Sequence, residues 1–134
     1  MTIIDQLKRD EGFRSLPYRD SRGYLTIGYG INLDAGTNDE EATYWLSYRI
    51  NQARTWMLSH FPWANALDDA RFGALLNLSY NLGGKLLGFH KALSAFETGD
   101  YEGAAREFAD SAWKMQVGDR ATRLCEQIRT GVWQ

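Results

Sequence analysis

The sequence predicts an α+β fold that is mostly helical, and three observations carry that reading. Strand-like alternation is confined to residues 13–35, where Tyr24, Thr26 and Gly28 alternate with Leu25, Ile27 and Tyr29. Everywhere else apolar residues recur at helical spacing between capping residues and Gly or Pro stops. No internal repeat or low-complexity linker interrupts the 134 residues, a length that suits one domain over 1–134 with a single core.

Taken in order, Thr2 with Asp5 has the form of a capping box, and Ile3, Ile4, Leu7 and Glu11 fall on one stripe of a helix over 3–11 that Gly12 ends. Residues 16–30 read as a hairpin around a turn at Asp20, Ser21, Arg22 and Gly23, and 31–36 as room for a short third strand. Thr37 with Glu40 forms a second capping box for a long helix over about 38–60. Ala42, Trp45, Tyr48, Ala53, Trp56 and Met57 are its expected core stripe, and Phe61-Pro62 is its stop. Asp68 or Asp69 caps a helix bearing Phe72, Leu75, Leu76, Leu78 and Leu82, which Gly83-Gly84 ends. Phe89, Leu93 and Phe96 mark the next helix, closed by Gly99, and Asp100 caps one with Tyr101, Ala104, Ala105 and Phe108. A short helix near Ser111 to Met115 precedes a last one, capped by Asp119, with Leu124 and Ile128 inside and Gly131 at its end.

Composition excludes several function classes. Fifteen basic and seventeen acidic residues leave a net charge of −2, which lacks the basic footprint of a nucleic-acid binder. Ile3, Ile4 and Leu7 are too few before charges resume to form a signal-peptide core or a membrane span, so stable membrane insertion is not expected. Cys125, the single cysteine, cannot form a disulfide within the chain and suits a small apolar position on a helix. His60 and His90 are isolated and no HExxH or paired-Cys motif occurs, so neither a metal nor any other cofactor is expected. There is no phosphate-loop motif and no Gly-x-Ser-x-Gly elbow.

The chemistry concentrates in residues 10–30, DEGFRSLPYRDSRGYLTIGYG. Glu11 ends a helix on its expected buried face, where partial desolvation suits a proton donor, and Asp20 opens the hairpin turn. Glycosidases need such a pair, one carboxylic acid for the leaving oxygen and one carboxylate across the sugar. Eight residues separate the two, room for a water-filled gap and hence for inversion. Thr26, on the strand after the turn, suits an ordinary β-branched strand residue and could also orient that water with its hydroxyl.

The pattern EG followed by YxDxxGYxTIGYG resembles the catalytic motif of the phage-type lysozymes, the endolysins that cut peptidoglycan as N-acetylmuramidases. NLSYNLG at 77–83, GF at 88–89, GDYEGAAREF at 99–108, DRATR at 119–123 and RTGVW at 129–133 are similar to the same family. The resemblance implies Glu11 as general acid, with Asp20 and Thr26 activating water. It implies Tyr24, Gly28, Gly30, Asn81 and Arg129 as substrate-binding or supporting residues, Arg129 lying near the acid. It also implies a small sheet-bearing lobe (about 13–36) joined by the 38–60 helix to a helical lobe (61–134 with helix 3–11), the active-site cleft between them. The implied partner is the peptidoglycan glycan strand. The expected protein is a monomer held in the host cytoplasm until a holin, tail particle or secretion system gives access to the wall. Two departures stand out: Ile31 occupies a position where many members have His, and the 31–37 link is short. The alternatives weighed are an inactive wall-binding or virion structural module of the same fold, and a chitinase-like glycosidase.

Overall fold

The computed structural model describes residues 1–111, 113 and 118–134. The short helix expected near Ser111 to Met115 falls largely outside the described residues. Within them the expected class holds, with helices throughout and one small antiparallel sheet near the N-terminus. Contacts divide the chain into two compact units, Met1–Trp45 and Leu46–Gln134.

The first unit begins with α1 (Ile3–Glu11), whose Thr2–Asp5 capping box forms in both directions and which stops at Gly12. Strand β1 (Arg14–Arg19) pairs with β2 (Leu25–Gly28), and β2 with β3 (Ile31–Asn32), so β2 is central. Tyr18 faces Thr26, Thr26 faces Asn32, and the register slips between Arg14 and Tyr18. The third strand expected in 31–36 is therefore present, two residues long. Ile31 is half exposed within it, opposite Ile27.

Helix α2 (Asp39–His60) starts in the first unit and ends in the second. Its cap corrects the Thr37–Glu40 expectation. Asn38 Oδ1 accepts the Glu41 N–H at 2.9 Å, while the Thr37 hydroxyl donates to the Glu41 carboxylate at 2.7 Å. Asn at N-cap with Glu three residues on meets the same demand for an acceptor over the free N–H groups, one position later. The expected core stripe also needs correction: Met57 is its one buried residue, Trp56 packs partly buried beside the core, and Trp45 and Tyr48 are exposed.

The second unit holds the core. After a 3-10 turn at Pro62–Ala66 come α3 (Asp69–Leu82), a second 3-10 stretch (Gly83–Gly88), α4 (His90–Glu97), α5 (Tyr101–Ala109) and α6 (Asp119–Thr130). Met57, Leu75, Leu78, Leu86, Phe96, Phe108 and Ile128 are fully buried. Each such side chain contributes about 1.5–3 kcal/mol relative to exposure. Asp68 and Asp100 cap α3 and α5 as expected, but α6 starts at Gly118 with no side-chain cap, and Asp119 is its first helical residue. An acid there still favours the helix N-terminus through its dipole. Among the described residues no helix is long and apolar enough to cross a membrane.

Arg71 joins the start of α3 to the end of α6. Its Nε donates to the Ile128 carbonyl at 2.7 Å and Nη2 to the Arg129 carbonyl at 3.0 Å, so two acceptors at a helix end that lack intrahelical donors are satisfied. Its guanidinium lies 3.7 Å from the Tyr101 ring centre, and Nη1 meets Asp68 Oδ2 at 3.0 Å. Next to it, Gln127 Nε2 donates to the Ala70 carbonyl at 2.7 Å.

Burial pushes the Asp68 carboxyl up, but the Arg71 backbone N–H, guanidinium hydrogen bond and charge together outweigh it and hold Asp68 below its ordinary value. The lowered folded value makes this a stabilisation present above the unfolded pKa of about 3.9 and lost as pH falls through the folded value. Asp68→Asn keeps a capping side chain but no titrating charge. Its melting temperature, followed from pH 7 to pH 2, should fall less steeply below about pH 4 than that of the wild type. Parallel curves would show that Asp68 does not contribute to the acid limb.

Candidate active site

The residues singled out around 10–30 all fall in the first unit, and the sheet explains their placement. At the β1–β2 turn, the Gly23 N–H closes onto the Asp20 carbonyl at 2.9 Å. Asp20 Oδ1 accepts two backbone N–H groups, from Arg22 and Tyr24, each at 2.9 Å. Such an Asx turn fixes the carboxylate plane against its own loop. Oδ2 has no hydrogen-bond partner among the described residues, and Asp20 is half-buried.

Tyr24 ties Asp20 to Thr26. Its carbonyl accepts the Asp20 N–H at 2.9 Å and the Thr26 hydroxyl at 2.9 Å. Thr26 is 3% exposed, and with its hydrogen committed to that carbonyl its oxygen can only accept from a further group. The turn is braced from the side by Asp34, whose Oδ2 takes the Leu25 N–H at 2.8 Å and meets Arg19 at 3.6 Å. Asp34 was not singled out in the sequence. A lone Asp beyond a short strand gives no local sign of which N–H it will reach.

Glu11 sits on the last turn of α1 and is exposed, as is most of that helix, none of which is buried. The expected buried face is thus corrected: a sheet of three short strands covers little of a neighbouring helix. Contact with Gly30 takes its place. A Cβ built on Gly30 would fall on Glu11 Oε2 and lie 2.9 Å from its Cδ, so the carboxyl rests against bare backbone. The adjacent Asp10 is instead paired with Arg9 at 2.9 Å. Gly28, whose φ is also positive, faces open space.

The two remaining candidates belong to the second unit. Asn81 is exposed, and its Oδ1 accepts the indole N–H of buried Trp113 at 3.1 Å. An indole can only donate, so it engages the amide oxygen, and the Asn81 NH₂ has no hydrogen-bond partner among the described residues. Arg129 is engaged by two carboxylates: it pairs with Glu126 on its own helix and meets Glu102 of α5 at 3.5 Å. The hydrogen bond and charge of Glu126, with those of Glu102, hold its guanidinium above its ordinary value. A cation not anticipated from the sequence, Arg120, donates twice to Asn77 Oδ1, at 3.2 and 2.7 Å. DRATR and NLSYNLG were noted separately, and local spacing carries no sign that they meet. Among the described residues no three His, Cys, Asp or Glu side chains gather as a metal site would need.

The helix-end carboxyl against glycine and the turn-locked carboxylate tied through one carbonyl to a buried threonine all lie within a stretch that a known family also matches. The phage lysozyme family profile matches residues 8–128. The chain belongs to the phage lysozyme family. It is similar to the pre-baseplate central spike protein Gp5 of Enterobacteria phage T4, with 30% identity over 98% of this chain and 28% of that protein. It is also similar to a probable T4-type lysozyme of Dictyostelium discoideum, with 25% identity over 97% of this chain and 95% of the relative. Those alignments run to 161 and 164 positions against 134 residues here, so each relative carries segments that this chain lacks. Membership supports a lysozyme-type glycosidase, a class that acts on peptidoglycan.

Proposed function

We propose that this phage lysozyme family member hydrolyses the β-1,4 bond between N-acetylmuramic acid and N-acetylglucosamine by a single, inverting displacement. The observation that carries the reading is the Asp20 turn, where two backbone N–H groups occupy Oδ1 and leave Oδ2 to a water. In this mechanism Glu11 gives its proton to the leaving glycosidic oxygen as the C–O bond breaks. Asp20 Oδ2 takes a proton from the water as the new C–O bond forms. The Thr26 oxygen accepts the water's other O–H, which aims the water's lone pair at the anomeric carbon. A nucleophilic Asp20 would leave Thr26 without that task. The NH₂ of Asn81, without a partner among the described residues, suits a carbonyl of the glycan strand, and Arg129 supports the helices of the second unit through Glu102 and Glu126.

A second reading, a structural or wall-binding module without activity, is favoured by the likeness to a spike protein. Against it stands the paired chemistry of Glu11 and Asp20, for which a pure binder has no use. Permeabilised Gram-negative cells provide the test. The hydrolase clears the suspension and releases new reducing ends, whereas a module binds without clearing. Good cleavage of chitin oligomers with poor cleavage of peptidoglycan would instead indicate a chitinase-like enzyme. NMR of the first-formed product should show the α-anomer, and a β-anomer would defeat inversion.

A further inference from the structure

We propose that Phe13 and Tyr29 are positioning residues that clamp the Glu11 carboxyl in place, an inference that rests on the reading of Glu11 as the proton donor. Glu11 is exposed and makes no hydrogen bond or ion pair among the described residues, so something other than polar contacts must restrict its three rotatable bonds. One ring adjoins Glu11 in sequence, the other adjoins Gly30, and the two meet in space. Phe13 follows Glu11 by two residues, Tyr29 precedes Gly30, and their centroids are 5.4 Å apart at a tilt of 48°.

The sheet explains why they meet. Arg14 pairs with Gly28 at the end of the β1–β2 ladder, and Phe13 and Tyr29 are the residues that adjoin that last pair on its two strands. Tyr29 is followed, in the turn that carries β2 into β3, by Gly30, the glycine against which the carboxyl lies. Tyr29 also takes the Lys8 ammonium at 5.5 Å from its ring centre. Lys8 is one helical turn before Glu11, on the same side of α1. Tyr29 is therefore bracketed by Phe13 and Lys8, and the segment 29–30 is laid over the helix turn that carries the acid. Phe13 is 65% and Tyr29 38% exposed, so the rings contribute little core burial, and holding this junction is what their contact does.

Phe13→Ala and Tyr29→Ala release the junction. A misplaced catalytic group costs up to about 10²-fold in rate, so kcat should drop roughly 10-fold to 100-fold while KM stays within about twofold. Because both substitutions remove one contact, the double variant should be little worse than either single variant. Tyr29→Phe, which keeps the ring, should restore the wild-type rate. The carboxyl ¹³C resonance of Glu11 in the free protein should move in both alanine variants. If Phe13→Ala fails to fold, Phe13→Leu carries the same test, with lowered kcat in support. Wild-type kcat together with an unmoved Glu11 resonance overturns the clamp. A fully active Glu11→Gln enzyme would defeat the proton-donor reading, and the Glu11 resonance would still decide whether the rings hold that side chain.

Discussion

Glu11→Gln should lose about 10²-fold to 10⁴-fold in the rate of reducing-end release while its melting temperature stays close to that of the wild type. The rate effect follows from removing the transferable proton without changing side-chain size. Unchanged stability follows from the structure: Glu11 is exposed, holds no hydrogen bond among the described residues, and rests against the Gly30 backbone with a group whose size an amide reproduces. Assay on soluble glycan fragments and circular dichroism on the same sample separate the two effects. Retention of more than about a tenth of the wild-type rate would show that another group protonates the leaving oxygen.

Gly30→Ala should be nearly as damaging, for a different reason. Gly30 has φ +73°, where a side chain adds about 1–2 kcal/mol of strain, and its new methyl group would occupy the position of the Glu11 carboxyl. The acid must swing away, and a loss of about 10²-fold in kcat is expected. Gly28→Ala supplies the control. Gly28 has φ +67° but nothing within 4 Å of its added Cβ, so that variant bears the backbone strain alone and should lose stability with a smaller fall in kcat than Gly30→Ala. Equal kcat losses in the two variants would assign the effect to strain in the 28–30 segment, not to the carboxyl.

The contrast between these neighbouring glycines shows what the sequence disclosed and what it did not. TIGYG marks both as turn or strand-end residues, but which one abuts a functional group depends on where α1 comes to lie. Local rules served well where the interaction is local. The Asp20 turn, the Asp100 cap and the stops at Gly83 and Gly131 are set within a few residues and were legible. They failed by one position where two capping residues adjoin, since Asn38 and Thr37 each have a Glu three residues on and only one can hold the cap. They could not show Arg71 reaching the carbonyls of Ile128 and Arg129, or Asn81 reaching Trp113, because those partners are 57, 58 and 32 residues away. In the site itself, the residue types, the Asp20 turn and the strand carrying Thr26 were readable from the motif, but the Tyr24 carbonyl that joins Asp20 to Thr26 was not. The exposure of Glu11 was not, because burial depends on how much surface the folded sheet offers.

The slipped register of β1 bears on how the protein behaves in concentrated solution. β1 lies at one rim of the sheet, and an unpaired rim invites a strand from another molecule to extend the ladder. Between Arg14 and Tyr18 the ladder is irregular, and Pro17 in that stretch has no N–H to offer a newcomer. Arg14 and Arg19 place like charges at the two ends of the strand, so a second copy aligned beside it in register would meet repulsion as well as missing hydrogen bonds. The opposite rim, β3, is two residues long and too short to template anything. A sheet this small thus resists edge-to-edge association by its own irregularity, leaving its hairpin open to solvent without becoming adhesive.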